Sequence, residues 1–208
     1  AHSIWIEKSP DGKPGVCFGE YDHGLREKAE KLDRFAKLEA WSINQDGKKE
    51  VLNVVQAEDR LGIETKASDI IVQELTLPVR DPAKMGTKEH GDAKPVKAKS
   101  YFYGRYSSGR SFELKPELKL DAVPAGDLSQ VQIFFDGKPL AEQDAVVIAP
   151  NGWSKELKTD TEGLAALDLP WPGLYVLETS HSIEKPGTFE GKEFEAERYK
   201  LTLSLDKK

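Results

Sequence analysis

Four histidines, His2, His23, His90 and His181, are spread through this 208-residue chain. Two of them sit in company that suits a metal ion. His2 follows Ala1, and a free α-amine, the next backbone amide and an imidazole can together chelate Cu(II) or Ni(II) in a planar arrangement. His23 closes the run Glu20-Tyr21-Asp22-His23, where two carboxylates and an imidazole offer mixed nitrogen and oxygen ligands to a divalent cation. Ala1, His2, Glu20, Asp22 and His23 are therefore the candidate ligands, with nickel, cobalt or copper as the expected ion. Asp22 also suits a helix start, where a carboxylate caps exposed N–H groups. His90 shares a polar stretch with Met85 and Glu89, a combination that suits copper. His181, following the apolar run Leu174–Thr179, reads as a structural histidine.

Catalytic signatures are missing. The sequence has no GxSxG elbow, HExxH helix, phosphate loop or Rossmann glycine pattern. Carboxylates are abundant, but no pair is set apart by its neighbours as a glycosidase pair would be. The single cysteine, Cys17, lies between Val16 and Phe18 and reads as a buried apolar residue. It would bear on a metal only if strand pairing brought it to His2. No disulfide within the chain and no CxxC pair is possible. Trp153 and Trp171 fall in turn-like segments. Exposed, they would favour a carbohydrate or protein contact; buried, they would anchor packing. A binding protein is expected, not an enzyme.

The elements that must position these residues are strands. Residues 3–8 alternate, and His2 falls on the face of Ile4 and Ile6. Ser9-Pro10-Asp11-Gly12 is a turn, and Val16–Tyr21 can return as a second strand. Leu25, Ala29, Leu32 and Ala36 recur at helical spacing and predict one short surface helix beginning near Asp22. Leu38–Ile43, Val51–Gln56, Gly62–Lys66 and Ile70–Leu77 continue the strands, with Asn44-Gln45-Asp46-Gly47 as a hairpin turn. Residues 80–99 break the pattern with a polar, charged stretch, the kind of long loop that is usually functional or mobile. The second half alternates more clearly. Leu118, Leu120 and Ala122, then Val131 and Ile133, then Tyr199, Leu201, Leu203 and Leu205 each mark one face of a strand. About seven short strands with regular turns are what a sandwich requires.

Length and charge set the frame. Some 208 residues suit two domains, divided here into residues 1–112 and 113–208. Acidic residues outnumber basic ones by 36 to 30, for a net charge of −6, which argues against nucleic acid as a partner. No apolar run approaches the ~20 residues of a membrane helix, so no membrane insertion is expected. The chain opens without an initiator Met, directly into strand-like residues, as a mature exported chain does after signal-peptide removal.

Several longer strings carry a family resemblance. FFDGKPL (Phe134–Leu140), followed by AVVIAPNG, LKTDTEGLAALDL and PGLYVLET, resembles the sandwich module of a bacterial periplasmic family. That family is labelled a domain of unknown function and described as a NikM-like, substrate-specific component of nickel uptake. The opening AHSIWIE, the triplet Phe18-Gly19-Glu20 and the stretch KPGTFEGKEFEAERYKLTLSL over residues 185–205 are similar to it as well. The resemblance implies a periplasmic location, a role in metal transport alongside a membrane transporter or outer-membrane receptor, and no enzymatic activity. The expectation is an all-β protein of two immunoglobulin-like or transthyretin-like β-sandwich domains, with one short helix in the first. It is expected to be a soluble periplasmic metal-binding protein. The alternative is an envelope module that binds a glycan or a partner protein.

Overall fold

The structure, a computed structural model, describes residues 2–82 and 96–208. The first half contributes β1 (Ser3–Lys8), β2 (Pro14–Glu20), β3 (Leu25–Arg26), β4 (Glu39–Ile43), β5 (Lys49–Leu52), β6 (Val54–Gln56), β7 (Leu61–Ile63), β8 (Asp69–Glu74) and β9 (Ala98–Ser107). The second half contributes β10 (Leu120–Pro124), β11 (Gln130–Phe135), β12 (Lys138–Pro139), β13 (Asp144–Ile148) and β14 (Ser154–Lys158). It continues with β15 (Leu164–Ala166), β16 (Gly173–Ile183), β17 (Gly187–Phe189), β18 (Lys192–Phe194) and β19 (Ala196–Lys207). The all-β sandwich expected from the alternation is what the chain forms.

Its centre is an eight-stranded sheet in the order β14-β13-β16-β19-β9-β8-β4-β5. The sequence predicts a division at 112/113, which falls in the irregular stretch between β9 and β10. The sheet nevertheless joins the two halves. β19 pairs with β9 in parallel from Ala196 opposite Ala98 to Leu205 opposite Ser107, while the other neighbours in this sheet are antiparallel.

Because side chains alternate across a strand, this sheet presents apolar residues to both sides. Leu201, Leu203, Leu205, Tyr103 and Ile71 pack with Leu120, Ala122, Val131 and Ile133 of β10 and β11. From the opposite face Ile70, Val72 and Tyr106 meet Ile4, Ile6, Val16 and Phe18 of β1 and β2. The first of these outer sheets runs β10-β11-β12 with β15 beside β11, and the second runs β1-β2-β7-β6 with β3 beside β2. The molecule is thus three β layers, with two cores on either side of one shared sheet. The stretch Val51–Gln56, expected as one strand, breaks at Asn53: β5 edges the central sheet, and β6 crosses into the outer one.

The expected helix takes a different form. Leu25–Arg26 pairs with β2 as a strand, and the helical part is two 3₁₀ turns, Ala29–Lys31 and Asp33–Phe35. The residues that go inward are Leu32, Phe35 and Leu38, spaced by three, which is the repeat of a 3₁₀ turn. Ala29 and Ala36, two of the residues that suggested an α-helical stripe, are exposed.

Candidate metal centre

The antiparallel register of β1 and β2 sets Ser3 opposite Gly19. One step further along, residue 2 comes beside residue 20. The Glu20 carboxylate stands between two imidazoles: Oε1 lies 3.6 Å from His2 Nδ1, and Oε2 lies 3.0 Å from His23 Nδ1. Asp22 Oδ1 is 3.4 Å from the same His23 nitrogen. Ligand atoms of Glu20, Asp22 and His23 all fall within 4.8 Å of one another. In a tetrahedral shell with bonds near 2.1 Å, neighbouring ligand atoms sit about 3.4 Å apart. The spacing seen here is close to that, so an ion could replace the hydrogen bonds without a large rearrangement. Of the sequence candidates, Glu20, Asp22 and His23 converge, His2 stands beside that cluster at 3.6 Å from Glu20, and Ala1 lies outside the described residues.

The local backbone explains the convergence. Glu20 ends β2, residues 21–24 turn with the Gly24 N–H donating to the Tyr21 carbonyl, and β3 returns with Leu25 opposite Glu20. The return is unusually close at Gly19, whose φ is +151° and whose Cβ, if it had one, would sit 2.1 Å from the Leu25 carbonyl oxygen. Only glycine fits such an approach. Gly19→Ala is expected to push β3 off β2 and lower stability by roughly 1–3 kcal/mol. It should weaken metal binding with it. Thermal unfolding and metal titration of the variant check both.

One member of the centre escaped sequence reasoning. Glu27 Oε1 is 2.7 Å from His2 Nε2, while the His2 ring rests against Phe18 at 5.2 Å between centroids. A carboxylate on the far nitrogen is the usual second partner of a metal-binding histidine, fixing the ring and leaving the near nitrogen for the ion. In this arrangement Nε2–H is donated to Glu27 and Nδ1 faces Glu20. Hydrogen bonding to His2, then to Lys31, holds the Glu27 carboxyl below its ordinary range. The bond to His23 does the same for Glu20. Both stay ionised at neutral pH, as ligands and their supports must. Glu27 was hidden because it read as the polar side of the expected helix.

The other candidates lie apart. Cys17 faces Trp5 in the register and is fully buried with its thiol 3.1 Å from Glu7. Burial and the Glu7 charge push that thiol's pKa far up, and its place in the core is that of the buried residue the sequence suggests. His181 lies within β16, its ring 4.5 Å from that of Phe135, and burial lowers its pKa. Met85, Glu89 and His90 fall outside the described residues. Trp153 and Trp171 are exposed, at 71% and 42%, and meet edge to face at 6.1 Å. Their end of the molecule adjoins the centre, since a Cβ on Gly152 would lie 3.6 Å from the Asp22 carbonyl oxygen.

With this geometry fixed, the chain can be set beside known proteins. Residues 92–183 match the domain of unknown function DUF4198. No curated protein and no solved structure matches the chain. The DUF4198 segment takes in β9 to β16 and leaves out His2, Glu20, Asp22, His23 and Glu27. What it has in common with that domain is therefore the run of strands from β9 to β16 and not the candidate centre.

Proposed function

We propose that this protein is a soluble periplasmic binder of a divalent transition metal, nickel, cobalt or copper, serving uptake or handling of the ion and not catalysis. The observation that carries this reading is the Glu20 carboxylate placed between His2 and His23, with Glu27 steadying His2 from behind. Imidazole and carboxylate together suit these ions better than calcium or magnesium, which take oxygen alone. The partly exposed position suits a site that loads and releases its ion, and delivery to a membrane transporter or outer-membrane receptor would follow from such a role. The resemblance to the nickel-uptake component points the same way.

Calorimetric titration of metal-free protein with Ni(II) and Cu(II) tests the reading. His23→Ala and His2→Ala should each weaken binding by about tenfold or more, and Glu27→Gln by about tenfold through loss of the histidine's support. Acidification should weaken it too, because the ligands must shed their protons to bind. Affinity that none of the three substitutions changes would overturn the proposal.

The exposed Trp153–Trp171 pair favours a second reading, an envelope module that contacts a glycan or partner protein. Paired indoles offer apolar area with a hydrogen-bond donor on each ring. A glycan array that registers binding only while both tryptophans are present would support it.

A further inference from the structure

Beside the centre, the outer layer stops short, and among the described residues part of the central sheet is left uncovered. The result is a cleft of about 1410 Å³ that opens from His2 and Glu27 across β19 and β9 toward the β17–β18 arm. Among the described residues, seven Lys or Arg side chains line it against three Asp or Glu. This excess of positive charge stands out in a chain whose net charge is −6.

The floor is built by register. Ser182, Arg198 and Ser100 lie side by side across β16, β19 and β9, and Ser180, Lys200 and Phe102 form the next row. In each row the side chains share one face, some 5 Å apart. Where β1 does cover this face, Thr202 donates to the Ile4 carbonyl and Lys200 to the His2 carbonyl, at 2.7 and 2.9 Å. Beyond Lys200 none of the described strands covers this face, and Arg198 there is exposed. Lys192 stands on the arm, Lys97 on the approach to β9, and Arg34 across the cleft. Phe18, Phe102, Leu77 and Pro78 add an apolar wall.

We propose that this cleft binds a small organic polyanion bearing two or more carboxylates. The Arg198 guanidinium offers a planar fork that a carboxylate can meet with two hydrogen bonds. Ser100 and Ser182 flank it with hydroxyl donors. Further carboxylates reach Lys97 and Lys192, and the carbon skeleton lies on the Phe18–Phe102 wall. A cleft of this size admits a whole organic ligand of ordinary dimensions, for which sites of about 300–1,000 Å³ are usual. The apolar wall separates such a ligand from an inorganic anion, which would gain nothing from it.

The test uses metal-free protein, so that it stands apart from the metal reading. Citrate is titrated by calorimetry at low salt, with inorganic phosphate as the comparison. Citrate should bind, phosphate should bind at least about tenfold more weakly, and Arg198→Gln and Lys192→Gln should each cut citrate affinity by about tenfold. Both residues are exposed, and unchanged thermal unfolding would show that the variants fold. His23→Ala should leave citrate binding as it is. Three results would each overturn the proposal: no citrate binding at millimolar concentration, equal affinity for phosphate, or citrate binding indifferent to both charge substitutions.

Discussion

Asp121→Ala should destabilise the protein by about 3–5 kcal/mol, the cost of stranding a buried charge. Asp121 and Arg105 are both fully buried, one on β10 and the other on β9, so the pair bridges an outer sheet and the central one. Arg105 donates from Nε to Oδ1 at 2.9 Å and from Nη2 to Oδ2 at 2.6 Å. The same carboxylate accepts the backbone N–H groups of Glu117, Leu118 and Ala122. Alanine removes all of these acceptors at once and leaves a fully buried guanidinium without its hydrogen-bonded carboxylate. Against a total stability of about 5–15 kcal/mol for a typical domain, this loss threatens folding at ordinary temperature. Urea unfolding measures it.

A second variant separates charge from backbone. Replacing both partners, as in Arg105→Met with Asp121→Leu, removes the stranded cation and should recover a large part of the loss, since buried pairs often exchange for apolar ones at little cost. It should not recover everything, because three N–H groups still lack their acceptor, at roughly 1–3 kcal/mol for each one that finds no other. A double variant no better than Asp121→Ala would show that the carboxylate acts through the backbone groups alone.

Much of this architecture can be read along the chain, and the part that cannot has a common cause. Alternation located β1, β4, β11 and β19, and the turn at Ser9–Gly12 implied the β1–β2 hairpin. From that hairpin the meeting of His2 with Glu20 follows by counting. What no local pattern contains is the parallel seam of β19 on β9, whose partners, such as Ala196 and Ala98, lie far apart in sequence. The polar face of β19 illustrates the consequence. Arg198, Lys200, Thr202 and Ser204 share the polar face of the strand, yet Thr202 and Ser204 are buried, and β1 lies over this face with its Ile4 carbonyl accepting from Thr202. At Arg198 the same face is exposed, and there the cleft opens. Glu27 was lost for a similar reason. Its role depends on β3 pairing with β2, and a two-residue strand is too short to announce itself.

Glu7→Gln should lower stability by roughly 1–3 kcal/mol at neutral pH, the range for a charged hydrogen-bond partner lost from a mostly buried site. Glu7 is the hub behind the metal centre. Arg26 donates to both its oxygens, from Nε at 2.6 Å and Nη2 at 2.7 Å, and Trp5 Nε1 and the Cys17 thiol donate to it as well. The side chain of Arg26 is about a third exposed, so water softens the loss and the low end of the range is expected. Burial by itself would raise the Glu7 pKa, but the hydrogen bonds from Arg26, Cys17 and Trp5 outweigh it and hold the carboxyl below its usual 4.5. A depressed folded-state pKa means that the contribution is fully present above about pH 4.5 and fades as the pH falls through the folded value. The gap between the native protein and Glu7→Gln should therefore be constant from pH 7 down to about 5 and close below 4.5. A gap that persists unchanged to pH 3 would assign the effect to shape and not to charge. The consequence extends to the ion. Arg26 fixes β3 on one side, and the next residue, Glu27, steadies His2 on the other. Loosening Glu7 should therefore cost metal affinity even though Glu7 touches none of the proposed ligands. Comparing Ni(II) affinity in Glu7→Gln and the native protein at pH 7 measures that coupling, and equal affinities would mean that Glu27 holds His2 without help from Arg26.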